Sequence, residues 1–156
     1  MKKLVNIEKL TKYNGPEDSP GYLLWRISTQ WRSFIEEILK TFDLTHPQFV
    51  VLATTSWLTR NNKKITQADV GYAAGLDPNT TSQILRGLEN KNFIKRIRSL
   101  DERSKSPQLT AMGSNRLAKA LPAVEDADEQ FFAVLATKEI DELKKIFQLI
   151  VGKGIL

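Results

Sequence analysis

Residues 66–110 read TQADVGYAAGLDPNTTSQILRGLENKNFIKRIRSLDERSKSPQLT, and this stretch decides the fold. Thr66 followed three residues later by Asp69 is a helix-start pattern, because a hydroxyl and a carboxylate at that spacing satisfy each other's free amides. The helix it opens ends near Gly75, which takes the left-handed conformation of a helix end without steric cost. A second helix starts at once. Asp77 is placed to cap it, and Pro78 fits its first turn, where a missing N–H loses no partner. Thr81, Ile84, Leu85 and Leu88 step by three and four and form its buried stripe. It stops around Lys91-Asn92, since asparagine tolerates the left-handed turn better than most residues. Two short helices joined by a glycine turn make a helix-turn-helix. Phe93-Ile94-Lys95-Arg96-Ile97-Arg98 then alternates as a strand, Ser99 to Ser106 is a charged tip, and Pro107-Gln108-Leu109-Thr110 is the return strand. That hairpin is a wing.

Upstream, Thr45 and Gln48 form a second cap pattern around Pro47, opening a helix to about Thr59. Arg60-Asn61-Asn62-Lys63-Lys64 is a polar loop, and Ile65 is read as a short strand. Before it, Leu24, Ile27, Trp31, Phe34, Ile38 and Phe42 form one helical stripe, widened by Leu23, Ile35 and Leu39. Residues 1–19 read as a loosely docked arm ending in turn-rich Asn14-Gly15-Pro16. Downstream, one long helix runs from Ala111 to about Leu135, with a bend expected at Pro122. Thr137 is expected to cap a last helix whose apolar positions are Ile140, Leu143, Ile146, Phe147 and Ile150.

The chain of 156 residues has no cysteine and one histidine, His46. Disulfides, thiolate metal sites and cysteine redox sensing are thereby excluded for it, and zinc chemistry lacks its usual ligands. No metal or cofactor is expected. His46 reads as a helix-start residue, and the acidic run Glu125-Asp126-Ala127-Asp128-Glu129 as a solvated helix face. No phosphate-binding glycine loop and no catalytic group stands out, so an enzyme is not expected. Apolar runs such as Phe49 to Ala53 are far below the roughly 20 residues of a spanning helix, and Asn6, Glu8 and Lys9 interrupt any leader-like stretch. A cytoplasmic protein without membrane contact is the expectation. The net charge is +5. Within 86–105 seven cations (Arg86, Lys91, Lys95, Arg96, Arg98, Arg103, Lys105) face three carboxylates, so most of the excess charge falls on the helix-turn-helix and wing.

Several local patterns resemble the MarR (multiple antibiotic resistance regulator) family over about residues 20–152. Leu44-Thr45-His46-Pro47-Gln48-Phe49 is similar to its Leu-Thr-x-x-Gln-Phe opening of the second helix. Thr66-Gln67-Ala68-Asp69-Val70 resembles the start of its helix-turn-helix, and Leu88-Glu89-Asn90-Lys91-Asn92-Phe93-Ile94 the end of its recognition helix. Asp101-Glu102-Arg103-Ser104-Lys105 resembles its Asp-x-Arg wing tip, and Leu109-Thr110-Ala111-Met112-Gly113 its Leu-Thr-x-x-Gly step. Each fragment is weak alone; five in the right order and spacing are strong. Asn92 departs from the usual glycine. Gln83 stands where many members carry arginine, which bears on the target sequence and not on the binding mode. The resemblance implies a mainly α (α+β) fold, a winged helix-turn-helix domain with N- and C-terminal dimerisation helices. Residues 1–156 form one such domain on this reading, with about 1–43 and 111–156 for dimerisation and about 44–110 for DNA.

The second helix of the motif enters the major groove with its N-terminal half in this geometry. Its outward residues are Asn79, Thr80, Ser82, Gln83 and Arg86. Asn79 and Gln83 carry amides that match an adenine edge, and Arg86 matches guanine or a phosphate. On the wing, Arg98, Asp101, Arg103 and Lys105 are the DNA candidates. Arg103 reaches a narrow minor groove, and by the resemblance Asp101 holds its guanidinium. Thr66, Gln67 and Lys95 are candidates for the DNA backbone, whereas Lys91 is read as a solvated charge. By the resemblance, Trp25, Arg26 and Trp57 line a cleft for a small aromatic effector; each is also read, more simply, as core or interface packing. The expected function is a homodimeric regulator binding a palindromic operator in double-stranded DNA, a repressor released by a small molecule. A constitutive architectural DNA-binding protein and a winged-helix protein-interaction module are the alternatives.

Overall fold

The computed structural model describes residues 6–61, 63–98 and 105–152, without the side chains of Arg98 and Lys105. The chain divides into two units, residues 1–34 and 35–156. In the first, the expected loose arm contains two short 3-10 turns, Ile7–Lys9 and Pro16–Asp18. The Asn6 side chain caps the first by accepting the Glu8 amide at 3.1 Å. Helix α1 (Pro20–Lys40) begins in this unit and ends in the second. Its stripe is buried only at the far end, at Ile35 and Leu39, while Leu24 and Trp25 stay 60% and 63% exposed.

The second unit is built on α2 (His46–Thr59), which contributes buried Phe49, Val51, Leu52 and Thr55. It touches α3 (Gln67–Ala74), α4 (Pro78–Asn90), α5 (Ala111–Phe131) and the wing strand β2 (Lys105–Leu109). The capping box expected at Thr45 is complete: Thr45 N–H donates to Gln48 Oε1, and Gln48 N–H to Thr45 Oγ1. Thr66 and Asp69 form the same reciprocal pair before α3. Gly75 ends α3 at φ 66°, as its left-handed role requires. Helices α3 and α4 cross so closely at Gly71 that a Cβ there would stand 2.7 Å from Thr81 Oγ1. Ile65 is buried in extended coil and joins no strand, because its neighbours Lys64 and Thr66 belong to the loop and the cap.

Strand β1 (Ile94–Arg98) pairs antiparallel with β2 in the register Ile94↔Leu109 to Arg98↔Lys105. β2 starts two residues before the expected Pro107, which the sheet accommodates since both its strands are edges. Asn92 takes φ 57°, the left-handed turn expected of it. Thr110 caps α5, which runs through Pro122 and ends at Phe131, short of Leu135. Thr137 is the first residue of α6 (Thr137–Gly152) and not its cap. There the Glu139 carboxylate reaches back to the Ala136 amide at 2.7 Å, so Ala136 stands at the cap position and offers no side-chain oxygen to the first turn.

The tightest approach in the unit is between α5 and the start of the wing. A Cβ on Gly113 would lie 1.8 Å from the Phe93 carbonyl oxygen, a backbone atom that cannot swing away. Gly113→Ala is therefore expected to cost about 3 kcal/mol or more, as overpacking against fixed atoms does. Gly21→Ala, with nothing within 4 Å of the added carbon, is expected to be neutral or stabilising. Urea denaturation of both variants checks the contrast.

Candidate nucleic-acid interface

Helix α4 presents its sides unequally. Thr81, Leu85 and Leu88 are buried, while Asn79, Gln83 and Arg86 are exposed. The exposed three stand four and then three residues apart, so they form one stripe. Their side chains hold no hydrogen bond or ion pair among the described residues. Asn90, four residues beyond Arg86 and also exposed, extends the same line. Helical spacing alone places it there, one turn beyond Arg86.

The other two recognition-helix candidates are placed differently. Thr80 is half-buried, and its hydroxyl donates to Asp77 Oδ2 at 2.5 Å. Ser82 is half-buried on the flank of the stripe. Asp77 Oδ1 also accepts the Asn79 and Thr80 amides at 2.9 and 3.0 Å, completing the N-cap. Hydrogen bonds from the Thr80 hydroxyl and amide hold the Asp77 carboxyl below its ordinary pKa. Asp69 is lowered in the same way, chiefly by the Thr66 amide and then by its hydroxyl. Of the backbone candidates, Thr66 gives its hydroxyl proton to Asp69 Oδ2 at 2.9 Å, Gln67 is half-buried at the start of α3, and Lys95 is exposed on β1.

Two cations counted on this face are committed elsewhere. Lys91 is no solvated charge: its Nζ donates to Asp43 O at 2.7 Å, Asp43 Oδ1 at 2.9 Å and Gln48 Oε1 at 3.2 Å. It ties the C-cap of α4 to the turn after α1, where Asp43 takes φ 51°. Arg96, with a side chain 14% exposed, pairs with Glu89 through Nε at 2.8 Å and through Nη2. Arg98 and Lys105 face each other at the last described rung of the wing. Asp101 and Arg103 lie outside the described residues.

The effector candidates fall in different units. Trp25 lies in the first, its ring 6.3 Å from Tyr22, and Arg26 beside it is exposed. Trp57 lies in the second, 65% exposed, with the Arg60 guanidinium 3.9 Å over its ring. Trp57, Leu58, Arg60, Asn61 and Lys63 line a pocket of about 210 Å³. A larger cleft, of about 520 Å³, opens between the end of α5 and α6 and includes Phe132, Leu135, Ile140, Leu143 and Phe147. Among the described residues no cluster of three metal-ligating side chains forms, and no described helix is long and apolar enough to cross a membrane.

Residues 33–118 match the family model for the transcriptional regulators SarA/Rot. The HTH-type transcriptional regulator YdcH of Bacillus subtilis is 35% identical over 130 residues, covering 83% of this chain and 88% of that protein. The chain belongs to the MarR family of winged helix-turn-helix transcriptional regulators. The MarR-family protein Rv2887 of Mycobacterium tuberculosis, in complex with p-aminosalicylic acid, superposes with a TM-score of 0.66 at 28% identity, over 85% of this chain and 98% of that one. The Staphylococcus aureus MepR–DNA complex has the same fold, with a TM-score of 0.77 at 22% identity over 89% and 99% of the chains. This MarR-family chain is thus a DNA-binding transcriptional regulator, and its relatives are regulators and not enzymes.

The caps give the regulator a definite acid response. Both Asp69 and Asp77 have folded-state values depressed below the ordinary 3.8. Their contribution is fully present above the unfolded-state value and is lost as pH falls through the folded-state values. Asp77→Asn keeps a capping oxygen that does not titrate. Its urea midpoint is expected to fall less than wild type's between about pH 6 and about pH 2.

Proposed function

We propose that the protein is a homodimeric repressor that reads a two-fold symmetric operator with α4 and the wing, and that a small aromatic acid releases it. The observation that carries the reading is the stripe of Asn79, Gln83 and Arg86, exposed and without partners among the described residues, beside a wing rich in lysine and arginine. Amides and a guanidinium on a convex helix face have the donors and acceptors of base edges. Arg98, Arg103 and Lys105, with Asp101 orienting Arg103, supply the wing contacts, and Lys95 and Gln67 the phosphate contacts. Thr66 and Thr80 act through the caps they hold, since their hydroxyl protons and amides are already given to Asp69 and Asp77, while Ser82 flanks the stripe.

Dimerisation through the terminal helices is supported by what they leave uncovered. α6 buries none of its side chains, and Ile146, Leu149 and Ile150 are more than half exposed. An apolar row of this kind on a water-facing helix marks an interface. Two copies present two recognition helices, which a palindromic site matches. The relative Rv2887 carries the name of a transcriptional repressor and is known in complex with p-aminosalicylic and salicylic acids, which supports both the repressor role and the effector class. Trp25 and Arg26 in the first unit, and Trp57 in the second, are separate candidates for the effector. A ligand of this kind acts only by binding better to a dimer whose helices are spaced wrongly for DNA.

The test is fluorescence anisotropy with a duplex from upstream of the gene and a scrambled duplex of equal length, each over a salt series. Tight binding to the upstream duplex alone, weakened by millimolar salicylate, is the expected result. Equal weak binding to both favours an architectural protein, and no binding by a folded dimer favours a protein-interaction module. Arg86→Ala is expected to lose about 1–3 kcal/mol on the upstream duplex, and Lys95→Ala to lower the salt slope by about one per protomer. Ile150→Asp is expected to give a monomer in sedimentation and to abolish tight binding.

A further inference from the structure

We propose that Arg96 is a positioning residue, latching the wing to the recognition helix through Glu89 at a fixed angle, and not a DNA contact. The inference rests on the DNA-binding reading of α4 and the wing, and it assigns a role to a cation that charge counting would place on phosphate.

The geometry makes the case. Glu89 sits in the last turn of α4, and Arg96 lies seven residues on, in the middle of β1. Both Nε and Nη2 of Arg96 converge on Glu89 Oε2, and the arginine side chain is 14% exposed, the glutamate 36%. A guanidinium held through two nitrogens on a partly buried carboxylate has a fixed orientation. The pair is electrically neutral, so Arg96 adds little to the field that DNA meets. Lys95 and Ile97, its neighbours in β1, are exposed, so the alternation of the strand turns Arg96 toward the helix side. The cross-strand partner of Arg96 is buried Pro107, which has no N–H to give the ladder at that rung.

The need for a latch follows from lever arithmetic. The chain turns out of α4 at Asn92 and reaches Arg98 six residues later, about 20 Å away in extended conformation. A change of about 5° at that pivot moves the strand end by about 2 Å, more than a hydrogen bond tolerates. The hairpin has only two strands, a form with little stability of its own. Arg96 and Glu89 brace it halfway along the lever.

Glu89→Gln separates the two roles of Arg96, because they predict opposite signs. If Arg96 serves phosphate, removing a neighbouring negative charge frees it, and the variant binds DNA more tightly with a steeper salt slope. If Arg96 is the latch, binding weakens about tenfold, the scale of one charge-assisted hydrogen bond, with an unchanged slope. Anisotropy with the upstream and the scrambled duplex reads this, and the double variant Glu89→Arg with Arg96→Glu is expected to recover most of the affinity. Hydrogen exchange of the DNA-free protein gives a second readout. Amides of 94–98, 105, 106, 108 and 109 are expected to exchange faster in Glu89→Gln, with those of α2 unchanged. Tighter binding, a steeper slope, or unchanged wing exchange overturns the latch. A wild type that binds neither duplex at low salt overturns the DNA-binding reading instead, and the exchange result then decides the latch as a structural brace.

Discussion

The carbonyl of Phe93 is the point on which the helix-turn-helix, the wing and α5 all depend. It accepts the Thr110 amide at 3.1 Å, while the Thr110 hydroxyl donates to Asn92 O at 2.7 Å. The chain therefore leaves α4, makes the wing and returns to within a hydrogen bond of where it left. The same hydroxyl accepts the Gly113 amide at 2.9 Å, so one threonine closes the wing and opens α5. Gly113 completes the junction by having no side chain where the Phe93 carbonyl passes. Phe93 itself is buried, and the Arg116 guanidinium lies 5.1 Å over its ring from the first turns of α5. Helix α4, the wing and α5 thus share one set of backbone atoms, and none can shift in register alone.

The junction explains why so much of the fold was legible. Its parts are local: a left-handed Asn92, a Thr110 cap, a glycine three residues on. The other caps, at Thr45, Thr66 and Asp77, are likewise decided within four residues, and Gly75 within one. Pattern reading works where the physics is short-ranged. At the start of α6 a threonine is the usual cap, but Thr137 lies one residue inside the helix and Glu139 takes the Ala136 amide. What local patterns could not disclose is the destination of long side chains. Lys91 finds Asp43 across 48 residues, and Arg96 finds Glu89 around the turn at Asn92. Lys95 and Arg96 are adjacent basic residues in sequence, yet one faces water and the other a carboxylate. The Thr80 hydroxyl, expected to face outward with Asn79 and Gln83, is spent on the Asp77 cap.

These placements change what the basic segment means. A run of seven cations suggests a surface whose affinity comes mostly from phosphate neutralisation. With Arg96 and Lys91 neutralised by carboxylates within the fold, the cations of the described segment that remain open are fewer, and the polar stripe of α4 weighs more. Exposed ion pairs contribute little to stability, and Lys91–Asp43, with its aspartate 67% exposed, is of that kind. Its value is geometric. Gln48 accepts from Lys91 while also accepting the Thr45 amide, so the start of α2 and the end of α4 share a side chain.

That arrangement bears on how release of DNA would work in the proposed dimer. Spacing between two recognition helices is set by the elements that join the copies, and those elements must be mechanically connected to α4. Asp43 closes α1, and Lys91 grips both its carbonyl and its carboxylate. A left-handed φ at a non-glycine residue persists only where its surroundings hold it, and Lys91 is part of what holds Asp43. A rearrangement at the end of α1 is therefore felt first at the C-terminus of α4, two residues from Glu89 and three from the start of the wing. Packed elements of this kind have few alternative arrangements, so a small shift is passed on as a change of orientation and not absorbed as local softness. The wing and the exposed stripe of α4 then move as one body, because the Phe93 junction and the proposed Arg96 brace leave them no independent hinge.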